Sequence, residues 1–106
     1  MTVNEKLLTE IVQRVLSVAR PERIILFGSA ATGRMTRDSD IDLLVVVATP
    51  GNTRLASIAV RSALRGMGHS FDVIVMSVER FEESKGVIGG IAYPANKYGR
   101  VVYEAA

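Results

Sequence analysis

Apolar residues recur along this chain with two different spacings, which predict where helices and strands lie. Near the N-terminus they mark one side of a helix, at Leu7, Leu8, Ile11, Val12, Val15 and Leu16. Thr2 and Glu5 have the spacing of a capping box at its start. Pro21 places its end near Arg20, because the residue before a proline avoids helical geometry.

Continuous apolar runs predict three short buried strands, over residues 23–27, 40–48 and 71–76. Asn52 is expected to cap a helix between the second and third strands, with the glycines of 66–68 ending it. The apolar side of that helix is predicted to carry Leu55, Ile58, Ala59, Leu64 and Met67. Ser77 is the expected cap of a short polar helix that runs through Ser84.

Residues 28–39 are small and polar, so they can hold a turn and one short helical turn, but no long element. In the C-terminal part, Pro94 can start a short helix that Gly99 ends, and residues 100–104 indicate a closing strand. The order α-β-turn-β-α-β-α-(β) predicts one α+β or α/β domain over residues 1–106, with a small mixed β-sheet flanked by helices.

Composition narrows the class of protein. Hydrophobic residues make up 48% and charged residues 23% of the chain, which is ordinary for a soluble globular protein. The chain contains no cysteine, so disulfides and thiolate metal sites are excluded and a reducing cytoplasm fits. The longest apolar segment, residues 43–48, has the length of a strand, so no membrane span is expected.

The charge distribution gives no strong nucleic-acid signal. The formal net charge is +2, and the ten arginines and three lysines are scattered along the chain. A binder of nucleic acid usually concentrates its basic residues on one face or in one tract.

Asp40 and Asp42 are the first candidates for chemistry. Residues i and i+2 of a strand point to the same side, about 6.6 Å apart. Two bare carboxylates at that separation repel by roughly 2 kcal/mol at an effective dielectric constant of ~20. A bound cation would offset this repulsion, and hard oxygen ligands suit Mg²⁺.

A third carboxylate, Asp72, is expected at the same place. The helix predicted between strands two and three has the length of a parallel crossover, and parallel neighbours begin at the same edge of a sheet. Asp72 is the second residue of its strand and can therefore approach Asp40 and Asp42. The short link between strands one and two favours an antiparallel pair, which brings Gly28 and Ser29 to that edge.

Gly28 and Ser29 suit phosphate binding. Glycine lets the backbone approach a ligand closely, and N–H groups at the start of a short helix attract phosphate. The Ser29 hydroxyl can add a hydrogen bond. Phosphates beside a metal held by carboxylates describe an in-line phosphoryl or nucleotidyl displacement.

These residues carry a resemblance to a known family. Gly28-Ser29-Ala30-Ala31-Thr32-Gly33, followed after five residues by Ser39-Asp40-Ile41-Asp42-Leu43, resembles the G-S-x-A-x-G-x5-S-D-x-D-L signature of minimal nucleotidyltransferases. These proteins belong to the DNA polymerase β superfamily. The helix before Pro21, the strand around Asp72 and the C-terminal segment match in kind, so the resemblance covers essentially the whole chain.

The resemblance implies a site and a reaction. Asp40 and Asp42 would hold two Mg²⁺ ions, and Asp72 would complete one metal site and help to deprotonate the acceptor. Gly28 and Ser29 would bind the phosphates of ATP or another nucleoside triphosphate. A nucleoside monophosphate would pass to the acceptor and pyrophosphate would leave.

The resemblance also implies a partner. Such proteins are frequently paired with a HEPN ribonuclease toxin as its antitoxin, and some are similar to enzymes that transfer AMP to that partner. Many of those antitoxins have arginine where this chain has Thr32. Arg34 or Arg37 is the candidate to supply the missing charge to the triphosphate.

Two hypotheses stay open at this stage. The chain is either an active nucleotidyltransferase, with a partner protein as acceptor, or a binding module that neutralises a HEPN partner by docking. The presence of all three aspartates favours retained chemistry. About a hundred residues leave no second lobe to hold a base or an acceptor, so a partner or a second copy in a homodimer is expected to supply it.

Overall fold

A four-stranded mixed sheet with helices on both faces makes up the described part of the chain. The computed structural model describes residues 3–33, 39–49 and 51–106. Its elements are α1 (Glu5–Leu16), β1 (Arg23–Phe27), α2 (Ser29–Thr32), β2 (Ile41–Val47), α3 (Thr53–Ala63), β3 (Phe71–Ser77), α4 (Val78–Ser84), α5 (Ala92–Tyr98) and β4 (Arg100–Glu104). This mixed α/β order confirms the predicted fold class.

The strands lie in the order β3-β2-β1-β4. β1 is antiparallel to both β2 and β4, whereas β2 and β3 are parallel. The parallel pair is joined by α3, as expected for a crossover that needs a helix. The N-terminal ends of β2 and β3 and the C-terminal end of β1 therefore meet at one edge of the sheet, called here the candidate-site end.

Each face of the sheet has its own core. On one face, α1 and α3 pack on alternate strand residues through Ile11, Val60 and Leu43. On the other face, Leu44 packs with Phe81 of α4 and with the alanines of α5. The alternation along β2 puts Leu43 in the first core and Leu44 in the second, and β2 is buried from both sides.

The helix starts follow side-chain caps. Leu55 donates its N–H to Asn52 Oδ1 at 3.1 Å, and Arg80 donates its N–H to Ser77 Oγ at 3.0 Å, so both predicted caps are confirmed. The capping box predicted for α1 is wrong. Asn4 caps that helix by accepting the N–H of Leu7 at 2.8 Å, and asparagine is as good a cap as serine or threonine.

Three other element boundaries differ from prediction. Helix α1 ends at Leu16 rather than near Arg20, and the N–H of Val18 donates to the carbonyl of Val15, three residues back, as is common where a helix ends. Helix α5 begins at Ala92, with Pro94 inside its first turn, where a missing N–H costs little. β2 begins at Ile41, so Asp40 lies just before the strand.

The buried side of α3 also differs. It carries Ala56, Val60 and Leu64, which are spaced by four residues. Leu55 and Ile58 are 62% and 48% exposed, so the apolar side predicted for this helix is partly wrong. Two exposed branched side chains therefore lie on the outer surface of α3.

Candidate active site

Asp42 and Asp72 lie side by side at the candidate-site end. They are register partners in the parallel β2–β3 pair, and partners in adjacent strands are about 4.8 Å apart. Their side chains point to the same face of the sheet because paired residues share a pleat. Leu44 and Ile74, two residues further along each strand, belong to the core under α4 and α5, which identifies that face.

Asp40 lies two residues before Asp42, at the margin of the sheet. Asp40 and Asp72 are exposed and Asp42 is half-buried. Burial raises the pKa of Asp42 above its ordinary value, and the carboxylates of Asp72 and Asp40 raise it further. The three acids are therefore close enough to repel one another, with Asp42 at the centre of the group.

Neutralising partners for these acids are missing from the described part of the chain. The four ion pairs between described residues all use glutamates as the acid: Glu5, Glu10, Glu82 and Glu104. A cation that bound at the aspartates would relieve the repulsion that raises the pKa of Asp42.

Gly28 brings the backbone against this group. Phe27 is the register partner of Asp42, so the turn after β1 begins directly beside that carboxylate. Gly28 has φ 68° and ψ −150°, a conformation that essentially only glycine adopts. A Cβ atom at this position would overlap with Oδ2 of Asp42. Both the conformation and the contact require glycine.

Ser29 is the first residue of α2, immediately after Gly28. The N–H groups of Ala31 and Thr32 donate to the carbonyl of Gly28, which closes this single helical turn. The N–H groups before them begin the helix and have no intrahelical acceptor. Ala30 is buried in the core and fixes the turn on the sheet. The turn thus presents backbone donors next to the aspartates.

The two predicted arginines, Arg34 and Arg37, lie outside the described residues. Gly33 follows the last residue of α2, and its φ of 74° is left-handed. The described structure resumes at Ser39, one residue before Asp40. The phosphate contacts expected of the two arginines stay a prediction.

The oxygen donors of the three aspartates fit Mg²⁺ in kind. Within residues 3–33, 39–49 and 51–106, no group of three or more His, Cys, Asp or Glu side chains is arranged as a metal cage. A metal ion bound at the three aspartates would require their carboxylates to turn toward it.

The aspartates lie at the edge of the sheet face on which α4 and α5 pack. Asp42 and Asp72 lie beyond the area that α4 and α5 cover, and the partly buried Phe27 and Ile74 lie beside them. A cavity of about 520 Å³ next to Phe81 is lined by residues at the opposite end of β1 and β2, including Arg23 and Val46. That cavity does not reach the aspartates.

Sequence reasoning missed the position of one aromatic group. Tyr93, Lys97 and Tyr98 of α5 form a cluster in which the Lys97 ammonium lies 5.6 Å and 5.5 Å from the two ring centroids. Spacing within α5 could have placed them together, but only the sheet order shows which edge they are near.

The comparisons with known proteins decide the family. The family model described as "Nucleotidyltransferase domain" matches residues 5–89, which include the turn at Gly28 and all three aspartates. The chain belongs to this family. The resemblance seen in the two-part motif is thus confirmed at the level of a nucleotidyltransferase. Among curated proteins, no sequence matches significantly.

Solved structures share the fold of this nucleotidyltransferase domain. One is a toxin–antitoxin with AMP-PNP, which is 19% identical with a TM-score of 0.70, over 92% of this chain and 73% of that one. The toxin–antitoxin MntA–HpeT in a mutant form is 16% identical with a TM-score of 0.67, over 97% and 75%. A putative nucleotidyltransferase from Sulfolobus solfataricus is 24% identical with a TM-score of 0.61, over 92% and 78%.

The described helices of this nucleotidyltransferase domain are short. None of those within residues 3–33, 39–49 and 51–106 is long and apolar enough to cross a membrane.

Proposed function

We propose that this chain is a Mg²⁺-dependent nucleotidyltransferase that moves AMP from ATP to a hydroxyl group of a partner protein. The observation that carries the proposal is the contact of Gly28 with Asp42, which is itself paired in register with Asp72. This arrangement places a candidate phosphate-binding turn and candidate metal-binding carboxylates at one point. Nucleotidyl transfer needs both at the same phosphorus atom.

The proposal assigns a role to each residue of the site. Gly28 and Ser29 bind the β- and γ-phosphates through backbone N–H groups and the serine hydroxyl. Asp40 and Asp42 hold Mg²⁺, and Asp72 completes the metal site from the neighbouring strand. Mg²⁺, when bound, neutralises the phosphate charge and activates the α-phosphate toward attack.

The transfer balances as a single displacement. The acceptor oxygen forms a bond to the α-phosphorus while the bond from that phosphorus to the bridging oxygen of the β-phosphate breaks. Pyrophosphate leaves with the electron pair of the broken bond. Asp72, which is more exposed than Asp42, takes the proton of the acceptor hydroxyl.

The proposed acceptor is a protein because of the kind of structure that shares this fold. Two of the similar structures are toxin–antitoxins, one of them with AMP-PNP. We therefore propose that the chain is the antitoxin of a pair and that its partner is a HEPN-type toxin. Arg34 and Arg37 are the proposed further contacts to the triphosphate.

A second candidate function, neutralisation by docking alone, has one observation in its favour. Leu55 and Ile58 are 62% and 48% exposed and lie three residues apart on α3, and neighbouring exposed apolar side chains are typical of contact surfaces. Docking without catalysis would use these side chains and would not require the aspartates. A homodimer could use the same surfaces.

A labelling experiment separates the two functions. Wild-type protein, Mg²⁺ and the product of the neighbouring gene, incubated with α-labelled ATP, are expected to give labelled partner. The double variant Asp40→Asn, Asp42→Asn is expected to give about 10³-fold less, since the metal-binding carboxylates are lost. An unlabelled partner whose inhibition survives in the double variant would establish docking and refute transfer.

Magnesium is expected to stabilise the protein in a pH-dependent way. Mg²⁺ at about 100 times its dissociation constant should add roughly 2.7 kcal/mol to the free energy of unfolding. Because the pKa of Asp42 is raised, protons compete with the metal as the pH falls through that pKa, and the added stability should decline. Thermal melts with Mg²⁺ at a series of pH values from neutral into the acid range check this. NaCl at matched ionic strength is the control, and an equal effect of NaCl would argue against a specific site.

A further inference from the structure

Helix α5 crosses the sheet face that carries the aspartates. It begins beside β3, where Gly90 and Ile91 line a cavity of about 460 Å³ with Ile74 and Met76. It ends beside β1 and β4, since Gly99 follows its last residue and Arg100 pairs with Leu26. The helix therefore lies between α4 and the candidate-site end of the sheet.

The C-terminal end of α5 is held tightly on the sheet. A Cβ atom on Gly99 would overlap with the carbonyl of Ala95 and with Cγ2 of Ile25. Continuing the β1–β4 register by one residue places Gly99 opposite Phe27, and Phe27 is paired with Asp42. Gly99 is thus two strand spacings, about 10 Å, from Asp42. Tyr98 immediately precedes Gly99 in the chain.

Tyr98 lies on the side of α5 that faces the aspartates. Ala92 and Ala95 face the sheet. The two flanks of the helix then point along the sheet, one toward each end of the strands. Ile91 and Tyr98 are seven residues apart and share one of these sides. Parallel crossovers such as the one through α3 are right-handed, which fixes the orientation of the sheet as seen from α5. Helix α5 is itself right-handed and runs from β3 to β4. The side that carries Ile91 and Tyr98 therefore faces the candidate-site end, whereas Tyr93 faces α4.

The Tyr98 ring is exposed, and the side chain of Lys97 contacts it. Its residue is 60% exposed, whereas the other tyrosines and the phenylalanines of the described structure are half-buried or buried. The Lys97 ammonium lies 5.5 Å from the centroid of this ring and donates a hydrogen bond to Tyr93 Oη at 3.2 Å. A cation on one side of an exposed ring holds its orientation and leaves the other side available.

We infer that Tyr98 is the stacking platform for the nucleobase of the bound nucleoside triphosphate, with Lys97 as the positioning residue for its ring. The inference rests on the proposed function, since the triphosphate at Gly28 and Asp42 sets where the base can lie. With the phosphates at that point, the ribose spans toward α5 and the base meets the free face of the ring. Stacking on an aromatic ring tolerates any base, because every base has a π-face.

Binding measurements on Tyr98 variants test this platform. The protein is titrated with ATP and with inorganic tripolyphosphate, each with Mg²⁺. Tyr98→Ala is expected to weaken ATP binding by about tenfold, which corresponds to ~1.4 kcal/mol, and to leave tripolyphosphate binding unchanged. Tyr98→Phe, which keeps the ring, should bind ATP within about twofold of the wild type.

Leu55→Ala is the control, because it removes an exposed apolar side chain from α3, which packs on the opposite face of the sheet. ATP should bind to it as it binds to the wild type. The chain has three tyrosines and no tryptophan, so tyrosine fluorescence gives a second signal. ATP should quench it in the wild type, and Tyr98→Phe should lose that quenching while it keeps its affinity.

The outcomes separate this inference from the proposed function. Wild-type protein that binds neither ATP nor tripolyphosphate would overturn the proposed function and the platform with it. Unchanged ATP affinity in Tyr98→Ala, with binding intact in the wild type, would overturn the platform alone. An equal loss of ATP and tripolyphosphate affinity in Tyr98→Ala would also overturn it, since a stacking residue acts only on the base.

Discussion

Asp42→Asn is expected to lower nucleotidyl transfer by about 10³-fold or more, and at the same time to raise the melting temperature of the metal-free protein. Activity falls because the amide cannot replace a charged metal ligand at the centre of the site. Stability rises because Asp42 is half-buried between two other carboxylates, which, together with burial, raise its pKa. The uncharged amide removes both the burial cost and the repulsion.

The sign of the stability change depends on pH. The folded protein holds the proton of Asp42 more tightly than the unfolded chain does, because the folded pKa is raised. Stability is therefore lost as the pH rises from the unfolded pKa through the folded pKa, and the loss persists at neutral pH. The gain from Asp42→Asn should be full at pH 7 and should disappear in acid, where the carboxyl group is protonated in both states.

Thermal melts with and without Mg²⁺ check this prediction. Mg²⁺ should raise the melting temperature of the wild type and have little effect on Asp42→Asn. Glu22→Gln is the control for the loss of one negative charge, since Glu22 is exposed at the opposite end of the sheet. A melting temperature of Asp42→Asn below that of the wild type would mean that Asp42 stabilises the fold and is not held there for binding.

The approach of Asp72 to Asp40 and Asp42 could be predicted from the sequence because it depends on the direction of the two strands, which the length of their connection indicates. A helix-length connection implies a parallel pair, and parallel strands that begin at one edge align residues that are near their starts. The apolar side of α3 could not be predicted as well. Its apolar residues suggested a side with Leu55 and Ile58, but tertiary packing selected Ala56 and Val60 instead.

The contacts of Gly28 and Tyr98 lay beyond the reach of sequence reasoning for another reason. Each depends on the register of two strands that are distant in the chain. Phe27 opposite Asp42 brings Gly28 onto the carboxylate, and Arg100 opposite Leu26 brings Tyr98 to the same end. A shift of one residue in the β1–β2 register would separate Gly28 from Asp42, and a shift in the β1–β4 register would move Tyr98 along the sheet. Motif spacing reveals which residues matter but not this register.

Gly28→Ala is expected to abolish nucleotide binding and to lower the melting temperature by about 10 °C or more. Two effects combine at this position. The backbone has φ 68° and ψ −150°, where a residue other than glycine costs roughly 1–3 kcal/mol. The added methyl group also overlaps with Oδ2 of Asp42, so either the turn or the carboxylate must move away from the position that binding requires.

Gly66→Ala separates these two effects. Gly66 has φ 82°, which is also strained for alanine, but a Cβ atom there meets nothing within 4 Å. It should therefore lose roughly 1–2 kcal/mol of stability and retain binding of ATP and Mg²⁺. Gly28→Ala, in contrast, should lose binding even at low temperature, where both variants are folded. If Gly28→Ala bound ATP with wild-type affinity while folded, close approach of the backbone to Asp42 would have no part in holding the nucleotide. The site would then have to rest on the aspartates without the turn.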